Sequence, residues 1–321
     1  MYMKMTYREA LRQGLKEALE QDPRVFIMGE DVGAYGGTYA VTKDFLNTYG
    51  PDRIMDAPLS ENGFTGLGIG AAMGGLRPII EIMTVNFFLL ALDQLINSAA
   101  ILRHMSGGQI SVPLVIRMTS GGGRQLAAQH SNSFEGWLAH IPGIKILTPG
   151  NVEDARSCLH HALLDPDPVL IFEHALLLNH AEEVGPSFLE EDAFKAKVRK
   201  IGDRLTVITY GGMLQRCLLA AEETPGVEVI DLRCLRPIDN ETIFSSIKKT
   251  HRVLIVDEGS RSGSLSAEIS ARIMENCFYD LDVPVQRLCR KEIPVPYAKN
   301  LEDAVIPQVK DIKQKIQELI S

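Results

Sequence analysis

The sequence predicts a two-domain α/β protein built on mostly parallel sheets. Three observations carry this. The chain has 321 residues, more than one small domain usually holds. Short apolar runs alternate with longer segments whose apolar residues recur at helical spacing, the pattern of strands joined by crossover helices. A charged stretch at 181–204 interrupts that rhythm once, and the alternation then resumes.

Thr6 reads as the N-cap of a first helix running through Ala18 and Leu19. Residues 25–28 form a short buried strand ending at Gly29. Residues 61–75 read as a helix rich in Gly and Ala, whose small side chains permit close backbone approach. A strand at 78–83, a long helix at 87–103 and a strand at 112–117 follow, then a flexible loop at Gly121-Gly122-Gly123. A strand at 145–148, a helix at 152–164 and a strand at 169–173 complete a first domain, 1–180. The linker, 181–204, is acidic (Glu182, Glu183, Glu190, Glu191, Asp192) and then basic (Lys195, Lys197, Arg199, Lys200), and one edge hairpin is expected in it. The second domain, 205–321, shows strands at 205–210, 227–232, 252–256 and 283–288, with helices at 213–223, 241–249, 264–276 and 302–320.

A formal net charge of −8 argues against a nucleic-acid footprint, which needs a basic patch, and leaves an acidic face for a basic partner. The 5 cysteines (Cys158, Cys217, Cys234, Cys277, Cys289) are odd in number, scattered and without a C-x-x-C pair. That suits thiols in a reducing compartment better than a disulfide framework or a zinc site. The first residues lack the apolar core of a signal peptide. The apolar stretch at 79–102 is broken by Glu81, Asn86, Asp93 and Asn97 and is expected not to span a bilayer. A cytoplasmic protein is the resulting expectation.

Among residues suited to chemistry, Glu61 stands at a strand-to-helix turn before a glycine-rich apolar segment. A lone carboxylate facing such a cleft is a candidate acid/base group. The structural alternative is a carboxylate at a helix N-terminus with Ser60 as cap, and carboxylates of that kind outnumber catalytic ones. His130 follows a glycine-rich loop, where functional residues concentrate, though a lone His is more often structural. Phe87, in Asn86-Phe87-Phe88-Leu89-Leu90, reads equally as a core residue, with Phe88 as competitor. Glu30 ends a strand, and ligands of open parallel sheets bind outside the carboxyl ends of strands; its alternative role is a loop cap. Ser120-Gly121-Gly122-Gly123-Arg124 lacks the ending of a P-loop, and Gly66-Leu67-Gly68-Ile69-Gly70 lacks the intervals of a dinucleotide fingerprint.

An ordered set of motifs adds to this reading. It comprises Gly29-Glu30-Asp31-Val32, Asp56 to Gly66 with Glu61, Gly74 to Glu81, Asp93 to Asn97, Met105 to Gln109, Ala128 to Ser131 and Pro142 to Lys145. In this order and spacing the chain resembles the β subunits of thiamine-diphosphate-dependent 2-oxoacid dehydrogenases from about residue 4 to the C-terminus. The resemblance implies a pyrimidine-binding parallel-sheet domain followed by a transketolase C-terminal-like α/β domain. It implies that Glu61 hydrogen-bonds a pyrimidine ring nitrogen of thiamine diphosphate, promoting loss of the thiazolium proton. It also implies that Phe87 packs on the pyrimidine, that Glu30 reaches the cofactor, and that His130 relays a proton during acyl transfer. Many members read His-Ser-Gln where this chain has His130-Ser131-Asn132, which leaves the role of position 132 open.

Backbone groups at Leu114, Ala162, Leu163, Asp165 and Asp167 match a monovalent-cation (K+) loop of some members, although Asp165-Pro166-Asp167-Pro168 departs from their usual Asp-Asn-Asn-Pro-like run. The Gly-Asp-Gly and Asn-Asn pair that holds Mg2+ and the diphosphate in thiamine enzymes is missing from the sequence. The implied partners are therefore an α subunit supplying the diphosphate side, a second β chain, and a lipoyl-bearing acyltransferase core. Pyruvate is the foremost expected substrate. Acetoin and branched-chain members stay open, as does a paralogue that has kept the fold and lost catalysis.

Overall fold

The computed structural model describes residues 3–185 and 191–321; Glu190 of the predicted linker lies outside the described residues. The chain forms two compact units. One comprises 1–120 and 139–193, the other 121–138 and 194–321. Segment 121–138 thus interrupts the first unit in sequence while packing with the second.

In the first unit, β1 (Met3–Thr6) precedes β2 (Val25–Gly29), β3 (Ile54–Asp56), β4 (Arg77–Ile82), β5 (Val115–Ser120), β6 (Lys145–Leu147), β7 (Val169–His174) and β8 (Ala181–Val184). The main sheet runs β6-β7-β5-β4-β2-β3, and every one of these pairs is parallel. Strands β5 and β7 are buried along their whole length, as expected where helices cover both faces. Helix Tyr7–Gln21 starts at a capping box. The Glu9 amide donates to Thr6 Oγ1 (3.2 Å), and Glu9 Oε2 accepts from the Thr6 amide (2.7 Å). This helix packs on helix Val152–Leu164, where Gly14 lets the backbones close on Arg156 and Leu159.

The predicted helix at 87–103 is a run from Val85 to Met105 that changes character along its length. It is α at Val85–Phe88, 3-10 at Leu89–Ala91 and π at Leu95–Ala99, and α again at Ala100–Met105. From sequence the apolar stretch reads as too short and too interrupted to span a bilayer; this run, with 21 residues and a mean hydropathy of 1.6, is long and apolar enough by length and composition alone, and 33% of its most apolar window is buried. Asn86, Asp93 and Asn97 interrupt the apolar sequence without ending the helix, since each keeps a backbone N–H for the helical ladder. Val85, Phe88, Ala91, Leu95 and Ala99 form its buried stripe.

The edge hairpin expected in 181–204 does not form among the described residues. Strand β8 pairs antiparallel with β1, and β9 (Lys197–Lys200) pairs antiparallel with β11 (Val227–Asp231) of the second unit. Each strand satisfies its backbone groups on a longer-range edge instead.

The second unit adds β10 (Leu205–Thr209), β12 (Cys234–Arg236), β13 (Val253–Ser260) and β14 (Gln286–Arg290). Its 5-stranded sheet runs β14-β13-β10-β11-β9, parallel except at β9. Val207, Val229 and Leu254 of the sheet meet Leu214, Ile312 and Ile316 of the covering helices in one buried cluster. The last strand starts later than predicted, after Pro284, which has no N–H for the ladder. The single helix expected at 302–320 is two, Lys299–Val305 and Val309–Ile320. Pro307 cannot continue the first, and Gln308 opens the second with a capping box to Asp311.

Candidate active site

Three neighbouring strands of the first unit, β3, β2 and β4, carry Glu61, Glu30 and Phe87 just beyond their carboxyl ends. Strand β2 closes at Gly29, where a Cβ would come within 2.4 Å of the Glu81 carbonyl oxygen, so only glycine fits. Glu30 follows and is 4% exposed, with Oε1 lacking a hydrogen-bond partner. Burial pushes its pKa up, and the charges of Glu61 and then Asp31 add to this. The loop beyond Glu30 is tied to β3, because Asp56 accepts from the amides of Gly33 (2.6 Å) and Ala34 (2.9 Å).

Glu61 is the first residue of helix Glu61–Met73 and is 7% exposed. Ser60 makes no side-chain cap; its hydroxyl donates instead to the Pro58 carbonyl (3.1 Å). The structural alternative therefore loses its cap, and what remains of it is a carboxylate at a helix N-terminus. Phe88 is 0% exposed and belongs to the core, whereas Phe87 is only partly buried. The structure brings Glu30, Glu61 and Phe87 to one sheet edge.

His130 belongs to the second unit, in a 3-10 turn at Ala128–His130, and is partly buried. Asn132 gains a definite role here. Its carbonyl accepts from the Gly121 amide (3.0 Å) and its side chain donates to the Ala128 carbonyl (3.3 Å), closing the loop that carries His130.

Sequence reasoning missed a buried ionic triad in the same sheet as Glu30 and Glu61. Arg117 of β5 pairs with Glu81 of β4. On its other side it donates to Glu173 of β7 through Nε (2.9 Å) and Nη2 (2.6 Å). All three are buried. Burial pushes the Glu173 pKa up against the pull of Arg117. The signal was present, as each is a charged residue within a strand that is largely apolar and buried.

A buried carboxyl with an unpaired oxygen, a second carboxyl beside it and a part-exposed ring form a donor set that fits a flat, nitrogen-bearing ring such as the pyrimidine of thiamine diphosphate. At the candidate cation loop most of the groups have partners within the chain. Arg77 Nη1 donates to the carbonyls of Leu163 (2.8 Å) and Asp165 (3.3 Å). Lys145 pairs with the Asp165 carboxylate, and Arg103 with Asp167 (2.8 Å). The carbonyls of Leu114 and Ala162 accept from the amides of Val169 and Asp165. The chain's own cations and amides thus meet four of these backbone carbonyls, and at Asp167 the carboxylate. Among the described residues no cluster of three or more His, Cys, Asp or Glu is placed to hold a metal.

Comparison with known proteins defines the class. Residues 3–180 match the transketolase pyrimidine-binding domain and residues 194–312 the transketolase C-terminal domain. A split-gene transketolase, described as an inactive β4 tetramer, shares the fold with a TM-score of 0.81 at 20% identity, covering 98% of both chains. Full-length relatives narrow the class. The chain is 45% identical over 316 residues to the pyruvate dehydrogenase E1 component subunit β-1 of Oryza sativa, a mitochondrial protein, covering 96% of this chain and 84% of that one. It is 42% identical to the β subunit of Rhizobium meliloti (98% and 69% covered) and 44% identical to the human mitochondrial one (97% and 89%). The chain belongs to the family of pyruvate dehydrogenase E1 component β subunits.

Proposed function

We propose that the chain is the β half of a pyruvate dehydrogenase E1 component. It would work with an α chain and a second β chain, and pass the acyl group to the lipoyl arm of an acyltransferase core. When bound, thiamine diphosphate supplies the nucleophilic carbon and the electron sink for decarboxylation. Glu61 would share its carboxyl proton with the pyrimidine ring nitrogen, Glu30 would line the same edge, and Phe87 would orient the ring face. His130 carries a proton during transfer to the lipoyl group.

The observation that carries this reading is the buried Glu30 oxygen with no partner, beside the Glu61 charge, at the carboxyl ends of neighbouring parallel strands. Its relatives at 42–45% identity bear the pyruvate name, which favours pyruvate over acetoin or a branched-chain 2-oxo acid. The sequence lacks a diphosphate motif, and Leu67, Leu90 and Met105 leave apolar surface exposed on the Glu61 helix and on the 85–105 run; both support a partner chain. We place the boundary of the two domains in 181–204, and free cysteines support a reducing, cytoplasmic setting.

The test is co-expression with an α chain and assay with pyruvate, thiamine diphosphate and Mg2+. Glu61→Gln should preserve assembly and lower turnover by about 100-fold or more, since an amide cannot exchange the proton. Turnover retained in that variant would refute the assignment.

A further inference from the structure

We infer that Glu258 and Glu302 are positioning residues for His130, two buried carboxylates of the second unit that hold the His130 loop by its backbone amides. This rests on the reading of His130 as the proton carrier of acyl transfer. Gly121, Gly123, Gln125 and Ala127 all have positive φ, at 83°, 97°, 57° and 58°. Alternation of hand along a few residues turns successive N–H groups to one side and makes a concavity that suits an anion.

The second unit fills that concavity with carboxylates. The Gly122 amide donates to Glu258 Oε1 (2.7 Å) and the Gly123 amide to Glu302 Oε1 (2.8 Å). The Gln125 amide donates to Glu302 Oε2 (3.1 Å) and Oε1 (3.3 Å). Glu302 is 0% exposed and Glu258 5%. Charge-assisted bonds of this kind are stronger than neutral ones, and removing Glu302 would take the acceptor from the Gly123 and Gln125 amides, as removing Glu258 would from the buried Gly122 amide.

Beyond His130 the loop is fixed from the opposite polarity. Arg290, 8% exposed, donates through Nη1 to the Ser131 carbonyl (3.0 Å) and through Nη2 to Ser260 Oγ (3.1 Å). The two loop residues with positive φ and side chains, Gln125 and Ala127, sit in a strained conformation, which persists only when neighbours over-determine it. Carboxylates before the imidazole and a guanidinium after it meet that need. The residues lie over a hundred positions from His130 in sequence, and they act on the reaction through the loop rather than on reacting atoms.

The test uses the assembled enzyme carrying Glu302→Gln, Glu302→Ala or Glu258→Gln, with His130→Ala as reference. Two quantities are read: hydrogen exchange of the amides in 121–133, and the rates of decarboxylation and of lipoyl acylation measured separately. In Glu302→Ala, exchange in 121–133 should rise about ten-fold or more, and acylation should fall about ten-fold further than decarboxylation, the scale of a catalytic group displaced by a fraction of an ångström. Glu302→Gln keeps one acceptor oxygen and should lie between. Unchanged exchange in 121–133, or equal loss in both half-reactions, would overturn the proposal. If His130→Ala loses acylation selectively while the glutamate variants do not, the positioning role fails and the reading of His130 stands. If His130→Ala acylates normally, that reading fails and takes the positioning role with it.

Discussion

Replacing Arg117 with Met isolates what the ionic triad contributes to the first unit. The guanidinium is buried between Glu81 and Glu173, and its removal leaves two carboxylates in the sheet interior without their counter-charge. Breaking a buried pair from one side costs about 3–5 kcal/mol. At about 2–4 °C per kcal/mol for a unit of this size, melting should fall by roughly 6–20 °C. The pH dependence has a definite sign. Glu173 is raised above its ordinary value of 4.5 in the folded protein, so the folded state binds its proton more readily than the unfolded chain. Such a group destabilises the fold when charged, and stability is regained as pH falls through its folded pKa. Without Arg117 the upward shift grows, so the deficit of the variant should shrink on acidification toward pH 5. Adding Glu81→Gln and Glu173→Gln to Arg117→Met should recover most of the loss. Calorimetric unfolding at several pH values checks all of this. A loss below about 1 kcal/mol at neutral pH, or one independent of pH, would refute the reasoning.

Other outcomes follow from single positions. Gly143 has φ +86°, and a Cβ there would lie 1.9 Å from the Ala100 carbonyl oxygen, so Gly143→Ala should destabilise by about 2–4 kcal/mol in thermal melts. Phe88→Ala should cost about 3–5 kcal/mol of stability, as a fully buried ring does, whereas Phe87→Ala should leave melting within a few degrees and raise the thiamine diphosphate concentration needed for half activity. Exchanging potassium for tetramethylammonium should leave melting unchanged, because Arg77, Lys145 and Arg103 already hold the loop at 163–167. Stabilisation by several degrees in potassium would show a bound ion.

Much of this was readable from local pattern. The capping residue Thr6, the apolar runs of β2, β4 and β7, and the turn ending at Glu61 are set by neighbours in sequence, and the structure keeps them. Glu30 and Glu61 were legible as separate candidates because Glu30 follows a strand and Glu61 stands at a strand-to-helix turn. Their mutual electrostatic effect was not, since it depends on β2 and β3 lying side by side. Phe87 and Phe88 could not be told apart by composition; only the direction each takes from the helix decides which is core. Pro307 was a local signal against one long C-terminal helix, and the apolar periodicity on either side masked it. Pairing of 181–184 with β1, and of 197–200 with β11, joins residues far apart in the chain, which periodicity does not encode. The carboxylates under the His130 loop were invisible for the same reason.

The allegiance of residues 121–138 bears on how such a chain can be inherited in pieces. They interrupt the first unit yet draw their hydrogen bonds from Glu258, Arg290 and Glu302. A single crossover between two related genes in the linker would therefore separate the loop from the residues that shape it. Only partners whose loops and glutamates are interchangeable could recombine there and stay active. Exchange of the second unit between diverged relatives would need two breakpoints more, one on each side of the loop.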